Sequence, residues 1–253
     1  MRGPKADKGS ATAYFCAVTL ALHLVFAILG VLLPAVLFAT AGKRGDTRPR
    51  YWPQRLKVRM YYANGLLLLS LAVLVLVVWY FTGRPFTELG LGWGAPPYDP
   101  FAVGVLFIFL LLYAVDLFGE IGSADRKAAT RKKFRELGFL PSTGGQYLHF
   151  LFLCVCAGVG EEIVYRGFMI TYLREMLGAE EPWQVVLALL LPAVSFGVAH
   201  FYQGTQAVVK IVAMALLFGF FFFQTGTLWP LILLHTGIDA VGGLLNWALE
   251  RKP

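Results

Sequence analysis

Long apolar stretches separated by polar segments are the main pattern in this chain. Seven of them predict helices, at about residues 11–41, 65–82, 101–118, 146–173, 183–201, 206–224 and 228–249. A helix needs about 20 apolar residues to cross a bilayer, and the stretches reach that length. The sequence lacks the short alternating segments of a transmembrane β-barrel. We therefore predict an all-α fold, a polytopic transmembrane helical bundle that forms a single domain over residues 1–253.

The first apolar stretch has two possible divisions. It follows a short basic tail, and Ala39-Thr40-Ala41 has the form of a signal-peptide cleavage site. The stretch is about twice as long as the apolar region of a signal peptide. We interpret it as an uncleaved span that is kinked or ends near Pro34. If it holds two membrane segments, the bundle has eight spans and not seven.

Composition excludes an ordinary soluble domain. The chain is 58% hydrophobic and 15% charged, whereas a soluble domain has about 25% charged residues. Of the Lys and Arg residues, seven lie in segment 43–64 and six in segment 120–145, against one in segment 83–100. This asymmetry predicts that both basic segments are cytoplasmic, with Ala124–Leu137 as a basic helix on the membrane surface. No groove-reading motif accompanies the net charge of +7, so we expect the lipid bilayer, and no nucleic acid, as its partner.

Cysteines and ionisable residues inside the apolar stretches differ in what they indicate. Cys16, Cys154 and Cys156 lack metal-site or redox spacing, so they are interpreted as small buried hydrophobes.

An ionisable group within a span costs on the order of 3 kcal/mol. Four of these groups are isolated or near span ends and are given structural or interfacial roles: His23, His149, Asp116 and Lys210. Six others in the last four spans are predicted as site residues: Glu161, Glu162, Arg166, His200, His235 and Asp239.

Spacing arranges these six residues in three patterns: Glu161-Glu162-x-x-x-Arg166, Phe196-x-x-x-His200 and His235-x-x-x-Asp239. Residues four apart share a helix face, so Arg166 can pair with Glu162. Glu161 points about 100° away and can meet other partners. Three helices thus carry every residue type that acid–base chemistry needs, although a polar network that only locks the bundle is the alternative. Five nearby glycines are expected to permit close helix packing: Gly158, Gly160, Gly167, Gly197 and Gly237.

The three patterns, in this order and on separate spans, resemble the CPBP family of CAAX proteases and bacteriocin-processing enzymes, also called Abi proteins, and within it the type II CAAX prenyl endopeptidases. The similarity covers about residues 150–245. It implies an intramembrane endopeptidase of glutamic type with its catalytic core at about residues 146–249. The resemblance also implies roles: Glu161 activates water with help from His200, Glu162 and Arg166 pair and hold the helix, and His235 and the residue at 239 stabilise the oxyanion.

Asp239 and the metal content are open points. Many members of the family carry Asn where this chain has Asp239, and an ionised Asp only accepts hydrogen bonds. Asp239 is therefore protonated, orients His235 or binds a metal. No cofactor is expected to be required. A zinc site formed by Glu161, His200 and His235 is the alternative, although their spacing differs from that of H-E-x-x-H on one helix.

We therefore predict an enzyme that hydrolyses a peptide bond near the membrane, in the processing of membrane-anchored, lipidated or exported peptides or proteins. A transporter or proton relay is a different class, but the site residues lie only in the second half of the chain and have no counterpart in the first. A catalytically inactive binding or immunity protein is a third reading, for which Asp239 leaves room. The short chain favours a bacterial plasma (inner) membrane over a eukaryotic endomembrane.

Overall fold

The computed structural model describes residues 19–41, 52–93, 99–178 and 180–251. No strand is found among them, and the predicted all-α fold is confirmed. The short 3₁₀ turns Phe86–Leu89 and Phe201–Gln203 lie before the third and the seventh of the helices in this part of the chain. The helices are α1 (Thr19–Ala41), α2 (Gln54–Phe81), α3 (Pro100–Ile121), α4 (Ala124–Leu137), α5 (Gly144–Leu177), α6 (Pro182–Ala199), α7 (Thr205–Thr225) and α8 (Trp229–Arg251).

Every helix except α4 is long and apolar enough to cross a membrane, which gives seven candidate spans within the described ranges. Seven is the lower of the two predicted numbers. Residues 11–18 of the first predicted span, including Cys16, lie outside the described residues, as do the basic residues of segment 43–50. The five spans predicted from residue 101 onward agree with α3 and α5 to α8 to within about four residues at each end.

The start of α2 differs most from its prediction, because the helix begins at Gln54 and not near residue 65. Its first turns carry Arg55, Lys57 and Arg59, which the sequence assigned to a polar loop. Lys57 is buried, and its Nζ donates a hydrogen bond to the carbonyl oxygen of Leu140 at 2.8 Å. The Leu140 carbonyl, which is distant in sequence, therefore binds the Lys57 ammonium group. The basic residues of this segment had favoured a loop in the sequence-based prediction.

Helix α1 does not end at Pro34, which corrects one of the two outcomes expected there. The helix continues to Ala41 and contains a π-helical segment, Ala27–Leu32, just before the proline. Proline has no N–H, so Pro34 cannot donate the usual helical hydrogen bond to the carbonyl oxygen of Gly30, four residues earlier. Ser195 of α6 donates its hydroxyl to that Gly30 oxygen at 2.8 Å. The hydrogen bond that proline removes is thus replaced from a neighbouring helix.

Close approach of α5 to its neighbours depends on two glycines, because glycine has no side chain to keep the helices apart. A Cβ on Gly158 would lie 2.2 Å from Thr236 Oγ1 on α8, and a Cβ on Gly160 would lie 2.8 Å from the carbonyl oxygen of Leu68 on α2. Both distances are shorter than real contacts allow. Helix α5 is therefore packed between α2 and α8, with its middle turns in backbone contact with each.

The prediction of close packing holds for four of the five glycines. A Cβ on Gly167 would lie 2.8 Å from the carbonyl oxygen of Leu89, and one on Gly197 would lie 2.3 Å from Val212 Cγ2 on α7. The prediction is wrong for Gly237, where an added Cβ meets nothing within 4 Å. The glycines that permit contact thus concentrate on α5 and α6, around the predicted site residues.

The amphipathic segment before α5 forms α4, with the predicted bounds. Ser123 begins it by accepting a hydrogen bond from the Arg126 N–H, and Gly138 ends it in the left-handed conformation, with φ of 74°. Arg135 joins α4 to the end of α8 through an ion pair with Glu250. Cys154 and Cys156 on α5 are buried and unpaired, as predicted.

Candidate active site

The two adjacent glutamates lie where α5 changes from an α-helix to a π-helix. The helix is α-helical up to Glu161 and π-helical over Glu162–Ile170, and every residue of the π segment is buried. A π segment widens the helix and occurs frequently at functional sites. Here it separates a partly accessible carboxylate, Glu161, from a fully buried one, Glu162.

Glu162 is held by two donors. Its Oε1 accepts a hydrogen bond from Arg166 Nη1 at 2.9 Å and lies 2.8 Å from His235 Nδ1. The i,i+4 contact that the spacing predicted is therefore present, and α8 joins it. A carboxylate oxygen accepts, so His235 Nδ1 carries a proton and donates it to Glu162. The Arg166 guanidinium also lies over the ring of Phe196, 4.8 Å from its centroid.

Glu161 lies between two imidazoles from two other helices. Its Oε2 is 3.5 Å from His235 Nε2, and its Oε1 is 3.9 Å from His200 Nε2. Both separations are longer than a direct hydrogen bond. One carboxylate thus faces both imidazoles, with a gap that suits a bridging molecule.

His200 lies just beyond the last residue of α6, and its ring direction is fixed by the helix end. Its Nδ1 is 2.8 Å from the carbonyl oxygen of Phe196, one of the carbonyls that a helix end leaves unpaired. A carbonyl only accepts, so Nδ1 carries the proton. In the neutral ring Nε2 therefore presents its lone pair towards Glu161. The Phe196 ring packs on the other side, 4.4 Å from the imidazole centroid.

Asp239 lies at the exposed side of the site. Its Oδ2 lies 3.9 Å from His235 Nε2, one helical turn along α8. The Asp239 side chain is 39% exposed, whereas that of His235 is 4% exposed. The polar side chains therefore run from a dry interior at Glu162 to an accessible mouth at Asp239. All six predicted site residues meet in this one cluster.

Tyr202, in the 3₁₀ turn after His200, is a site neighbour that sequence reasoning missed. Its ring centroid is 6.1 Å from that of His200. Burial raises the pKa of Tyr202 to about 12, and the nearby carboxylates of Glu161 and Asp239 add to the rise, while a hydrogen bond from Gln203 opposes it. The phenol therefore stays neutral at physiological pH. Its position two residues after His200 was the only signal in the sequence.

Phe139, in the connection between α4 and α5, shows at which end of the bundle the mouth lies. Its ring centroid is 6.2 Å from that of Tyr202 in the connection after α6. The mouth is therefore at the end of the bundle that carries the basic helix α4. The assignment of this end to the cytoplasm stays a prediction.

The four ionisable residues that the sequence assigned to other roles have partners of their own. His23 Nδ1 is 2.5 Å from the Tyr172 hydroxyl, and His149 Nδ1 is 2.9 Å from the Tyr62 hydroxyl. Lys210 of α7 pairs with Asp116 of α3 at 2.5 Å, where both side chains are about half exposed. These contacts join pairs of helices and need no catalytic explanation.

The described residues include no group of three or more His, Cys, Asp or Glu side chains arranged to hold a metal ion. Glu161, His200 and His235, the set considered from the sequence, are therefore not arranged as a metal site in this structure.

Residues 143–241 match the family model described as Type II CAAX prenyl endopeptidase Rce1-like. The match begins immediately before α5, ends in α8 after Asp239, and contains all six predicted site residues. It confirms the resemblance that the three motifs indicated. The chain is thus an integral membrane protein whose second half is similar to a family of CAAX endopeptidases. No curated protein and no solved structure matches the chain.

Proposed function

We propose that this protein is an intramembrane endopeptidase of glutamic type, in which Glu161 activates water to hydrolyse a peptide bond of a membrane-bound peptide or protein. The position of Glu161 between His200 and His235, each on a different helix, carries the proposal. Peptide hydrolysis needs a base for the water, an acid for the leaving amine and donors for the oxyanion. The cluster contains side chains for each task.

Glu161 and His200 would hold the attacking water together. Two acceptors that each lie about 2.8 Å from one water oxygen are about 4.5 Å apart when the angle at the oxygen is tetrahedral. Glu161 Oε1 and His200 Nε2 are 3.9 Å apart, so a small outward rotation of the partly exposed Glu161 or His200 side chain would admit the water between them. Because the His200 Nδ1 proton is held by Phe196, Nε2 accepts from the water while Glu161 removes the other proton. The water oxygen then bonds to the scissile carbonyl carbon.

Glu161 would also return the proton. When the tetrahedral intermediate collapses, the carbon–nitrogen bond breaks and the protonated Glu161 donates its proton to the leaving nitrogen. The products are a new carboxylate and a new amine, and Glu161 is ionised again. The same carboxyl group therefore acts first as base and then as acid, as general acid–base catalysis permits.

His235 would stabilise the oxyanion from its Nε2. A protonated imidazole donates from both nitrogens, and Glu162 already accepts from Nδ1. The Nε2 proton is then directed towards the gap that Glu161 faces. In this scheme Asp239 orients His235 and does not contact the oxyanion, which selects one of the three roles left open by the sequence.

The description of the matched family supports a proposal for the substrate class. We propose the carboxyl-terminal region of a prenylated CAAX protein or peptide as the substrate, with bacteriocin leaders and carboxyl-terminal membrane anchors as the other classes to test. The position of the mouth at the end of α6 and of α4 fits a substrate that reaches the site from one face of the membrane. The scheme requires no metal or other cofactor.

Comparison of new peptide ends in cells tests the proposal. The wild type, Glu161→Gln and the control Glu88→Gln are expressed in the same host at equal levels. The control removes a carboxylate that pairs with Arg84, away from the cluster. Mass spectrometry of membrane and secreted peptides should find cleavage products with the wild type and the control but none with Glu161→Gln. Identical products from all three would refute the proposal, and proton or ion flux that depends on Glu161 would favour a transporter.

A further inference from the structure

The connection between α4 and α5 is fixed by an unusual set of hydrogen bonds. The carbonyl oxygens of residues 139–141 each accept from a side chain on another part of the bundle. Their donors are the Tyr61 hydroxyl at 2.5 Å, Lys57 Nζ at 2.8 Å and Asn246 Nδ2 at 2.9 Å. Tyr61 and Lys57 belong to α2, and Asn246 belongs to α8. Both helices that flank α5 therefore hold this loop, which we call the anchored loop.

A line of aromatic contacts leads from the anchored loop to the site. The centroid of the Phe139 ring is 6.2 Å from that of the Tyr202 ring. The Tyr202 centroid is in turn 6.1 Å from that of the His200 imidazole. Both aromatic residues are half-buried. On its other side the turn after His200 is held by α1, because the Phe201 ring is 4.7 Å from that of Phe38. The turn is thus packed between α1 and the anchored loop.

His200 depends on this support because it lies outside the regular helix. It follows the last residue of α6, and the turn that it begins ends at Gly204, whose φ of 94° favours glycine. The hydrogen bond from Nδ1 to Phe196 fixes the tautomer and one direction of the ring. The backbone of the turn is held in addition by the packing of Tyr202 and Phe201.

We propose that Phe139 and Tyr202 are positioning residues for His200, and that the anchored loop holds them through the hydrogen bonds from α2 and α8. The inference rests on the proposed function, in which His200 contacts the attacking water. It adds a specific consequence: side chains far from the site, of which Tyr61 is one, affect catalysis through the position of one imidazole. As positioning residues, Phe139 and Tyr202 are expected to affect kcat and not KM.

Two adjacent tyrosines of α2 provide a matched test. Tyr61→Phe removes the hydroxyl that holds the Phe139 carbonyl, and Tyr62→Phe removes a hydroxyl that contacts His149. The substitutions are chemically identical, and both leave the rings in place. A displacement of about 1 Å in a catalytic group can cost up to about 100-fold in rate. We expect kcat of purified Tyr61→Phe to fall about tenfold with KM within about twofold, and Tyr62→Phe to match the wild type.

A double-substitution cycle shows whether the effect of Tyr61 passes through Phe139. In a Phe139→Leu background, which already breaks the aromatic line, Tyr61→Phe should cause no further loss of kcat. Tyr202→Leu should lose as much kcat as Phe139→Leu, and the two substitutions together should lose no more than either one alone. Thermal unfolding of each variant shows that it is folded. If Tyr61→Phe fails to fold, the comparison of Phe139→Leu, Tyr202→Leu and the double variant makes the same test, because additive losses of kcat would overturn the inference.

The possible outcomes separate this inference from the proposed function. Equal kcat values for Tyr61→Phe and Tyr62→Phe, or additive losses in the cycle, overturn the positioning role while an inactive Glu161→Gln leaves the endopeptidase proposal intact. A rise in KM with unchanged kcat also overturns it, since that pattern indicates substrate contact. An active Glu161→Gln overturns the proposed function instead.

Discussion

Glu162 is the most completely buried acid of the site, and Arg166 is the charge that makes its burial possible. The two side chains are 0% and 2% exposed, and their ion pair also shares His235. Removal of one partner of a buried pair leaves the other charge without compensation, at a cost of about 3–5 kcal/mol. The pair therefore holds the π segment of α5 in place as much as it sets the chemistry.

Stability measurements test this role. Arg166→Met should lower the free energy of unfolding by about 3 kcal/mol or more, because it leaves the Glu162 carboxylate with His235 alone. Lys210→Met, which breaks the half-exposed pair with Asp116, should cost about 1 kcal/mol or less. Unfolding of the purified proteins in detergent, by heat or denaturant, gives both values. Equal losses for the two variants would show that Glu162 does not need Arg166 for burial.

Asp239 occupies a position where many members of the family that this chain resembles carry Asn, and in the proposed scheme it orients His235. Its Oδ2 lies 3.9 Å from His235 Nε2, one turn along the same helix. Asp239→Asn keeps the size of the side chain and removes the carboxylate that orients the imidazole. The kcat of this variant should therefore fall about tenfold, with KM within about twofold.

The values of kcat and KM for Asp239→Asn, measured beside the wild type and Asp116→Asn, check this expectation. Asp116 pairs with Lys210 and takes no part in the cluster, so its variant should keep the wild-type values. A wild-type kcat in Asp239→Asn would contradict the orienting role.

At the residue scale the sequence predicted the members of the cluster better than its surroundings. Glu161, His200 and His235 could be selected because ionisable side chains are costly in apolar spans. Tyr202 and Phe139 could not, because aromatic residues are common in such a chain and their importance comes from contacts across long separations. Spacing within a helix also predicted the Glu162–Arg166 contact but gave no information on the tautomer of His200.

At the scale of elements, local signals determined some helices and tertiary partners determined others. Helix α4 has the predicted bounds, and the structure shows that both ends are set locally, by the caps Ser123 and Gly138. The start of α2 was missed because Lys57 is satisfied by Leu140, which lies far along the chain. The continuation of α1 past Pro34 depends in the same way on Ser195 of α6.

The contact of α5 with α8 provides a prediction at this scale. Gly158→Ala should destabilise the protein and lower activity, because the new methyl group would lie 2.2 Å from Thr236 Oγ1 and 2.9 Å from the Ile232 carbonyl oxygen. The helices must move apart to accept the methyl group. Extra carbon atoms in a well-packed core typically cost about 1–3 kcal/mol. Gly237→Ala on α8 meets open space and is the matched control.

Thermal unfolding and kcat of the two alanine variants give the answer. Gly237→Ala should keep wild-type activity, and its stability should not fall, since alanine is a better helix former than glycine. If Gly158→Ala behaves like Gly237→Ala, α5 and α8 are not in backbone contact at this level, and the distance of Glu161 from His235 would have to be revised.

For the whole molecule, the packing of α5 between α2 and α8 explains how charged groups can function within apolar helices. The closed end of the cluster contains a compensated pair, Glu162 and Arg166, and the open end contains Asp239 and His200. The fold class followed from the hydrophobic pattern alone, which left the choice between seven and eight spans open. The convergence of α5, α6 and α8 did not, because no periodicity within one helix tells which faces of three helices meet.

The central claim is that Glu161 activates water for peptide hydrolysis with no metal ion. Its most direct measurement is the rate at which purified protein in lipid vesicles cleaves a prenylated CAAX peptide, for the wild type and Glu161→Gln, with and without a metal chelator. The account predicts cleavage by the wild type that the chelator leaves unchanged, and a loss of at least about 100-fold in Glu161→Gln. Cleavage by Glu161→Gln at the wild-type rate, or loss of wild-type activity in the chelator with recovery on adding zinc, would contradict it.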